Sequence, residues 1–323
     1  MEFTLELIQE AEKRIRPYIL ETPLLRMENL DRYLGCKVYV KAECMQITNA
    51  FKLRGALNMI LSLTKEQLKN GIVTASSGNH GRACAYAARQ LGIPATVVIP
   101  EGAPAIKVEN IRCLGAKIVQ CPAVERFEVA AKLCQEQGAA FIPPYDHELI
   151  MAGQGTAGIE LVRQLPEADT VVIPLSGGGL LSGMAAAIKG LSSARVIGAE
   201  PSVLARYTAS LKADAPVEVK QQSTIADALL SNHPGSKCFP VVRRYTDEVA
   251  ATDDFYIKQA QKLLLCEGKL FAEPSACIGI SALLEGLFSV EPDEKVCFFL
   301  SGGNCSLEQL HALEEIPLPE ALA

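Results

Sequence analysis

Apolar and polar positions along the 323 residues alternate between a helical and a strand period. Phe3 to Tyr18 repeats at helical spacing and closes at Pro17, which predicts an amphipathic helix. An extended piece follows Pro23, and Lys37 to Lys41 alternates like a strand. Ala56, Leu57, Met59 and Ile60 continue a helical pattern that places Lys52 near a helix start. Strands are then expected at Gly71 to Thr74, Ala95 to Pro100, Ala116 to Gln120 and Ala140 to Pro143. Helices separate them at Arg82 to Leu91, Lys107 to Leu114 and Ala123 to Gln137. Such alternation with short turns predicts parallel α/β layers.

A second series follows, with helix at Gly153 to Leu165, strand at Thr170 to Leu175, helix at Leu180 to Leu191 and strand at Arg195 to Glu200. Pro201 to Val242 reads as the least regular part, a source of loops over a site. Asp254 to Leu264 and Cys277 to Leu287 read as helices, and Lys295 to Leu300 as a buried strand that runs into a last helix through Ser301 to Asn304. Three units thus read as apolar strand, Ser/Gly-rich turn and helix: Val73 to Leu91, Val171 to Lys189 and Val296 to Leu313. In a parallel sheet these turns fall at the carboxyl ends of strands, where ligands collect. Any one of them is also explained by an ordinary tight turn.

Composition narrows the class. A hydrophobic fraction of 49% and a charged fraction of 21% describe a globular protein, and the length suggests two domains. The net charge of −6, without a long basic run, argues against nucleic acid or an anionic membrane as partner. No apolar run reaches the ~18 residues of a membrane span. The N-terminus lacks the pattern of a secretion signal. Eleven cysteines, with no C-x-x-C pair, read as small buried hydrophobes in a reducing compartment, and the four histidines are scattered. The expectation is a cytoplasmic protein without a metal site.

Lys52 is the first candidate for chemistry. Close to the positive end of a helix and screened from water, a lysine loses basicity and becomes an amine nucleophile; solvated surface lysines do not. The turn from Ser176 to Leu181 offers successive free amides at a helix start, a site that suits a phosphate. It also supports a competing reading, a nicotinamide-dependent oxidoreductase. Gly177-x-Gly179-x-x-Ser182 nearly matches the dinucleotide fingerprint, and Glu200 stands where a ribose-binding acid is expected. That reading leaves Lys52 and the other two turns unexplained. A cofactor-free small-molecule binding protein is a third possibility.

Four motifs in order, F-K-L-R-G-A from Phe51, S-S-G-N-H-G from Ser76, S-G-G-G-L-L from Ser176 and L-S-G-G-N from Leu300, resemble the fold-type II pyridoxal-phosphate enzymes. Within these the chain is most similar to the serine/threonine dehydratase and serine racemase group. The resemblance implies a two-domain α/β fold, each domain a mainly parallel twisted sheet flanked by helices, with the active site in the cleft between them. The large domain would comprise residues 1–50 and 146–323, the small one residues 51–145. By the same resemblance Lys52 binds the cofactor aldehyde and later takes the substrate's α-proton. Gly177, Gly178, Gly179 and Leu180 hold its phosphate, Phe51 packs on its ring, Asn79 meets its phenolic oxygen, Ser301 its pyridine nitrogen, and Glu273 lies near the ring. Ser76, Ser77, Asn79 and His80 would bind the substrate, and Ser77 would be an acid/base on the face opposite Lys52, as in the racemases. Plainer roles remain open: a packed turn residue for His80, a turn former for Ser77, a helix cap for Ser301, and an ion pair for Glu273.

The sequence departs from the family pattern in places. Asn49 and Ala50 replace a usual glycine and serine, and Ala228 stands where relatives often have glycine. Racemase relatives bind a divalent cation through a glutamate in an E-P-S segment and an acid shortly after it. Here Glu200 is followed by no acid as far as Arg206, so that site is expected to be absent or altered. No regulatory domain follows, so feedback control through one is not expected. The implied activity is elimination of the β-hydroxyl of L-serine or L-threonine to an α-keto acid and ammonia. The same-family alternative is a racemase with side elimination, and a homodimer is the family-level expectation.

Overall fold

The computed structural model describes residues 3–322; the outermost positions of the expected large domain, 1, 2 and 323, lie outside these. The chain runs α1 (Leu5–Ile15), β1 (Leu24–Arg26), α2 (Glu28–Leu34), β2 (Lys37–Ala42), α3 (Lys52–Ser62) and β3 (Ile72–Ala75). Next come α4 (Asn79–Leu91), β4 (Ala95–Pro100), α5 (Ala105–Arg112), β5 (Lys117–Cys121), α6 (Arg126–Gln137) and β6 (Ala140–Phe141). Then follow α7 (Glu148–Gln164), β7 (Thr170–Pro174), α8 (Gly179–Leu191), β8 (Arg195–Pro201), α9 (Arg206–Ala213) and α10 (Cys238–Tyr245). The last elements are β9 (Glu248–Thr252), α11 (Asp254–Cys266), α12 (Ile278–Leu284), β10 (Lys295–Leu300) and α13 (Leu307–His311).

These strands form two sheets. One has the order β1-β2-β10-β7-β8-β9 and the other β5-β4-β3-β6. All neighbours are parallel except β1, which is antiparallel to β2. Central strands such as Val171–Ile173 and Val296–Leu300 are buried throughout, as a sheet covered by helices on both faces requires. The expected α/β architecture is therefore present. β1 and β2 join the sheet built by the later strands, whereas β3 to β6 form the other sheet. No helix among the described residues is long and apolar enough to cross a membrane.

A buried ionic cluster links α3 to β2, to the segment that follows β2 and to α7. Arg54, on α3, meets Glu43 at 2.7 Å and Glu160 of α7 at 2.7 Å, and Lys41 of β2 meets Glu160 at 2.8 Å. Two cations and two anions balance, which is what makes their burial tolerable. Cysteines behave as small apolar residues for the most part: Cys36, Cys44, Cys84, Cys121, Cys238, Cys277 and Cys297 are buried, and all eleven are unpaired thiols.

Several boundaries depart from the periodicity. Pro201 to Val242 is more ordered than expected, containing α9 and the start of α10. The turn from Ser301 to Asn304 does not open the last helix, because its backbone groups are spent elsewhere. Phe51 N donates to Ser301 O, Glu273 N to Gly302 O, and Gly303 N to Asn49 O, at 2.9–3.0 Å. α13 begins only after Ser306, which caps it by a reciprocal bond with Gln309. Ser301 is therefore not a helix cap.

Candidate active site

Lys52 is the first residue of α3, so its side chain rises from the positive end of the helix. The half-buried amine donates to the carbonyl of Pro144 at 2.7 Å and lies 5.2 Å from the centroid of the Phe51 ring. Burial pulls its pKa down to about 8. Phe51 is itself buried, edge-on to Phe299 of β10 with ring centroids 6.3 Å apart.

Pro144 leads directly to Tyr145, whose ring covers the glycine turn between β7 and α8. A Cβ at Gly177 would stand 2.5 Å from that ring, and one at Gly178 would stand 1.9 Å from Tyr207 Oη. Gly178 also has φ +102°, which side chains rarely adopt. Only glycine satisfies both constraints. The amides of Gly177, Gly178 and Gly179 donate to no group among the described residues, and they sit at the start of the thirteen-residue helix α8. Such a concave set of free donors suits a phosphate. Leu180 buries its side chain in the core, so only its main chain is available there.

A third group gathers at the ends of β3 and β10. Asn79, first residue of α4, donates through Nδ2 to Glu273 Oε1 at 2.8 Å and accepts from Asn304 Nδ2 at 2.8 Å. Asn304 N donates to the other Glu273 oxygen at 3.2 Å. Glu273 is only 3% exposed. Burial, with Asp227 adding to it, pushes its carboxyl up to about 8 against the opposing bonds from Asn79 and Asn304. Its partners are amides, not the cation of an ion pair. Ser301 follows β10, buried, with its hydroxyl bonded to no group among the described residues.

The turn after β3 holds the remaining expected residues. Ser76 Oγ accepts from Gly78 N at 3.3 Å, and the half-buried Ser77 hydroxyl has no partner among the described residues. His80 points inward: 2% exposed, it pairs through Nε2 with Ile142 O at 3.1 Å. Burial and the nearby Lys52 charge hold its pKa down to about 3, so the ring is neutral.

The dinucleotide reading fails on Glu200. That carboxylate is fully buried and already accepts from Tyr207 N at 3.0 Å and from Thr208 N and Oγ1 at 2.7 and 2.8 Å. Nothing remains to meet a ribose.

A family model described as pyridoxal-phosphate dependent enzyme matches residues 15–302. The chain belongs to this family. It is 42% identical over 310 residues to a serine racemase of Arabidopsis thaliana, covering 94% of this chain and 93% of the relative. To an L-threonine ammonia-lyase of Thermotoga maritima it is 36% identical over 310 residues, covering 95% and 77%. The solved structure of maize serine racemase superposes with a TM-score of 0.91 at 40% identity, covering 96% of both chains. The protein is thus a pyridoxal-phosphate dependent enzyme of the serine racemase and threonine or serine ammonia-lyase family, with the fold-type II architecture.

The residues present fit pyridoxal phosphate. The cradle at Gly177–Gly179, which any Cβ would fill, matches its phosphate, and the weakly basic amine of Lys52 matches its aldehyde. Family departures are absorbed locally: Asn49 stands at φ +56°, a left-handed conformation that asparagine tolerates better than most residues, so it keeps a backbone suited to glycine. Ala228 is exposed and its amide donates to Ser275 Oγ at 3.0 Å. Among the described residues no cluster of three His, Cys, Asp or Glu side chains is placed to hold a metal ion.

Sequence reasoning missed Tyr145, Tyr207, Arg206 and the partnership of Asn304 with Asn79. Asn304 lay inside a motif already singled out, so its position was a usable signal. Tyr145, Tyr207 and Arg206 carry no such mark, because their roles depend on which distant backbone they approach.

Proposed function

We propose that the protein eliminates the β-hydroxyl of a small amino acid such as L-serine or L-threonine, giving an α-keto acid and ammonia. The observation that carries this reading is the half-buried amine of Lys52, with its pKa near 8, bonded to Pro144, whose neighbour Tyr145 covers the glycine cradle. Bound in the cleft, pyridoxal phosphate would supply an electron-withdrawing ring that stabilises negative charge at the substrate's α-carbon. Lys52 would hold the aldehyde, and its weakly basic amine would serve as the base for the substrate's α-proton. Gly177, Gly178, Gly179 and the Leu180 main chain would hold the phosphate, and Phe51 would bound the ring.

Asn79, itself oriented by Glu273 and Asn304, would meet the phenolic oxygen. Ser301 would offer a hydroxyl, not a carboxylate, to the pyridine nitrogen, an arrangement that would suit prompt loss of a β-substituent. Ser76, Ser77, Asn79 and the main chain of His80 take the α-carboxylate at the start of α4.

A second reading, racemisation, is favoured by the unpartnered Ser77 hydroxyl, which would exchange the α-proton on the face opposite Lys52. The serine racemases among the relatives support it too. Assaying keto acid and the opposite enantiomer from L-serine and L-threonine, on wild type and Ser77→Ala, separates the two. Elimination without enantiomer supports the first reading, and enantiomer lost in Ser77→Ala supports the second. A small domain at 51–145, a homodimer and a cytoplasmic location accompany this reading as proposals.

A further inference from the structure

Beneath the glycine cradle lies a cation that the proposed mechanism does not use. The Arg206 side chain is 0% exposed. Its guanidinium donates through Nη2 to Leu175 O at 2.6 Å, through Nε to Ser176 O at 3.1 Å and through Nη1 to Leu204 O at 2.6 Å. Three main-chain carbonyls therefore converge on one guanidinium. Next in sequence, Tyr207 donates through Oη to Gly177 O at 3.1 Å, where Gly235 N also donates at 2.8 Å. Arg206 and Tyr207 together hold the consecutive carbonyls of residues 175, 176 and 177.

Peptide geometry turns this into a statement about the opposite side of the loop. In a planar trans peptide the C=O and the following N–H point in opposite directions. Holding the carbonyls of Leu175, Ser176 and Gly177 from below aims the amides of Ser176, Gly177 and Gly178 away from α9. We propose that Arg206, assisted by Tyr207, is a positioning residue for the phosphate cradle, a built-in cation that fixes the direction of the loop's amides. Its charge is offset by Glu200, 3.8 Å away, so it acts by aiming donors and not by long-range attraction. With a guanidinium of the chain itself among these carbonyls, the loop needs no added metal ion to be ordered.

This inference rests on the assignment of the turn to a phosphate-bearing cofactor, and the test keeps the two apart. The apo-protein is titrated with pyridoxal phosphate and, separately, with pyridoxal, which lacks the phosphate, following absorbance. For Arg206→Ala we expect pyridoxal phosphate to bind roughly 10- to 100-fold more weakly, the range for losing hydrogen bonds to a charged group. Pyridoxal binding should be unchanged. Methylguanidinium should restore part of the loss, and a chelator should leave wild-type affinity unaltered. Equal losses for both ligands, undiminished affinity for pyridoxal phosphate, or a chelator-sensitive wild type would each overturn the proposal. If Arg206→Ala does not fold, Arg206→Lys decides: an unchanged ratio of the two affinities overturns it, and a fall confined to pyridoxal phosphate supports it. A wild type that binds neither ligand would instead overturn the cofactor assignment, and this inference with it.

Discussion

The ε-amine of Lys52 and the carbonyl of Pro144 are hydrogen-bonded at 2.7 Å across 92 positions of sequence. That bond joins the start of α3 to the segment leaving β6, and Tyr145 carries the connection on to the glycine turn. It places the amine of Lys52 beside the glycine turn. The carbonyl accepts from either protonation state of the amine, so it orients the group without fixing its charge.

Lys52 should therefore be the most reactive lysine of the apo-protein. With a folded pKa near 8 against an ordinary 10.5, roughly a tenth of the amine is neutral at pH 7. Acetylation followed by peptide mass spectrometry should show Lys52 labelling with a midpoint near pH 8. The sign for stability follows from the same shift. The unfolded chain binds more protons between about 8 and 10.5, so this residue's cost to folding is relieved as pH rises through that window. Lys52→Ala should abolish turnover, and retained activity would count against the assignment.

Glu273 should leave the opposite mark. Its folded pKa near 8 lies above the ordinary 4.5, so the folded state holds the proton more tightly and stability falls as pH rises from about 4.5 to 8. Urea denaturation at a series of pH values should show that decline in wild type and a flatter curve in Glu273→Gln. An identical slope in both proteins would mean that Glu273 ionises normally.

Gly178→Ala tests the cradle. Its Cβ would stand 1.9 Å from Tyr207 Oη at a backbone angle of +102°, and loss of pyridoxal phosphate binding is expected. Gly92→Ala is the control: φ is +66° but nothing lies within 4 Å. It should cost about 1 kcal/mol of stability by denaturant titration and leave binding intact.

Arg54→Ala should strip the buried cluster of one cation and leave Glu43 and Glu160 short of a partner. A loss of roughly 3–5 kcal/mol is expected from urea titration, the range for breaking a buried pair. A loss under about 1 kcal/mol would show that water enters to compensate.

Much of the site was legible because its chemistry is local. Lys52 at a helix start, glycines at a strand end and the serine turn after β3 are features of short stretches, and each lies where the periodicity put it. The errors have local causes too. Ser301 to Asn304 has the composition of a helix-opening turn, but its backbone groups pair with Asn49, Phe51 and Glu273. Glu200 has the spacing of a ribose-binding acid, but α9 folds over it and uses both oxygens.

What the sequence determined by itself was most of the order of strands and helices, α2, α9, α10 and β9 excepted, and the places of its Ser/Gly-rich turns and of Lys52 at a helix start. These depend on side-chain period and on backbone freedom over a few residues. Only the tertiary structure decided that Asn79 meets Glu273 across 194 positions, that Arg206 grips the strand end beneath the cradle, and that burial weakens Lys52 as a base. Burial and long-range pairing are properties of which surfaces meet, and no stretch of chain carries that information alone.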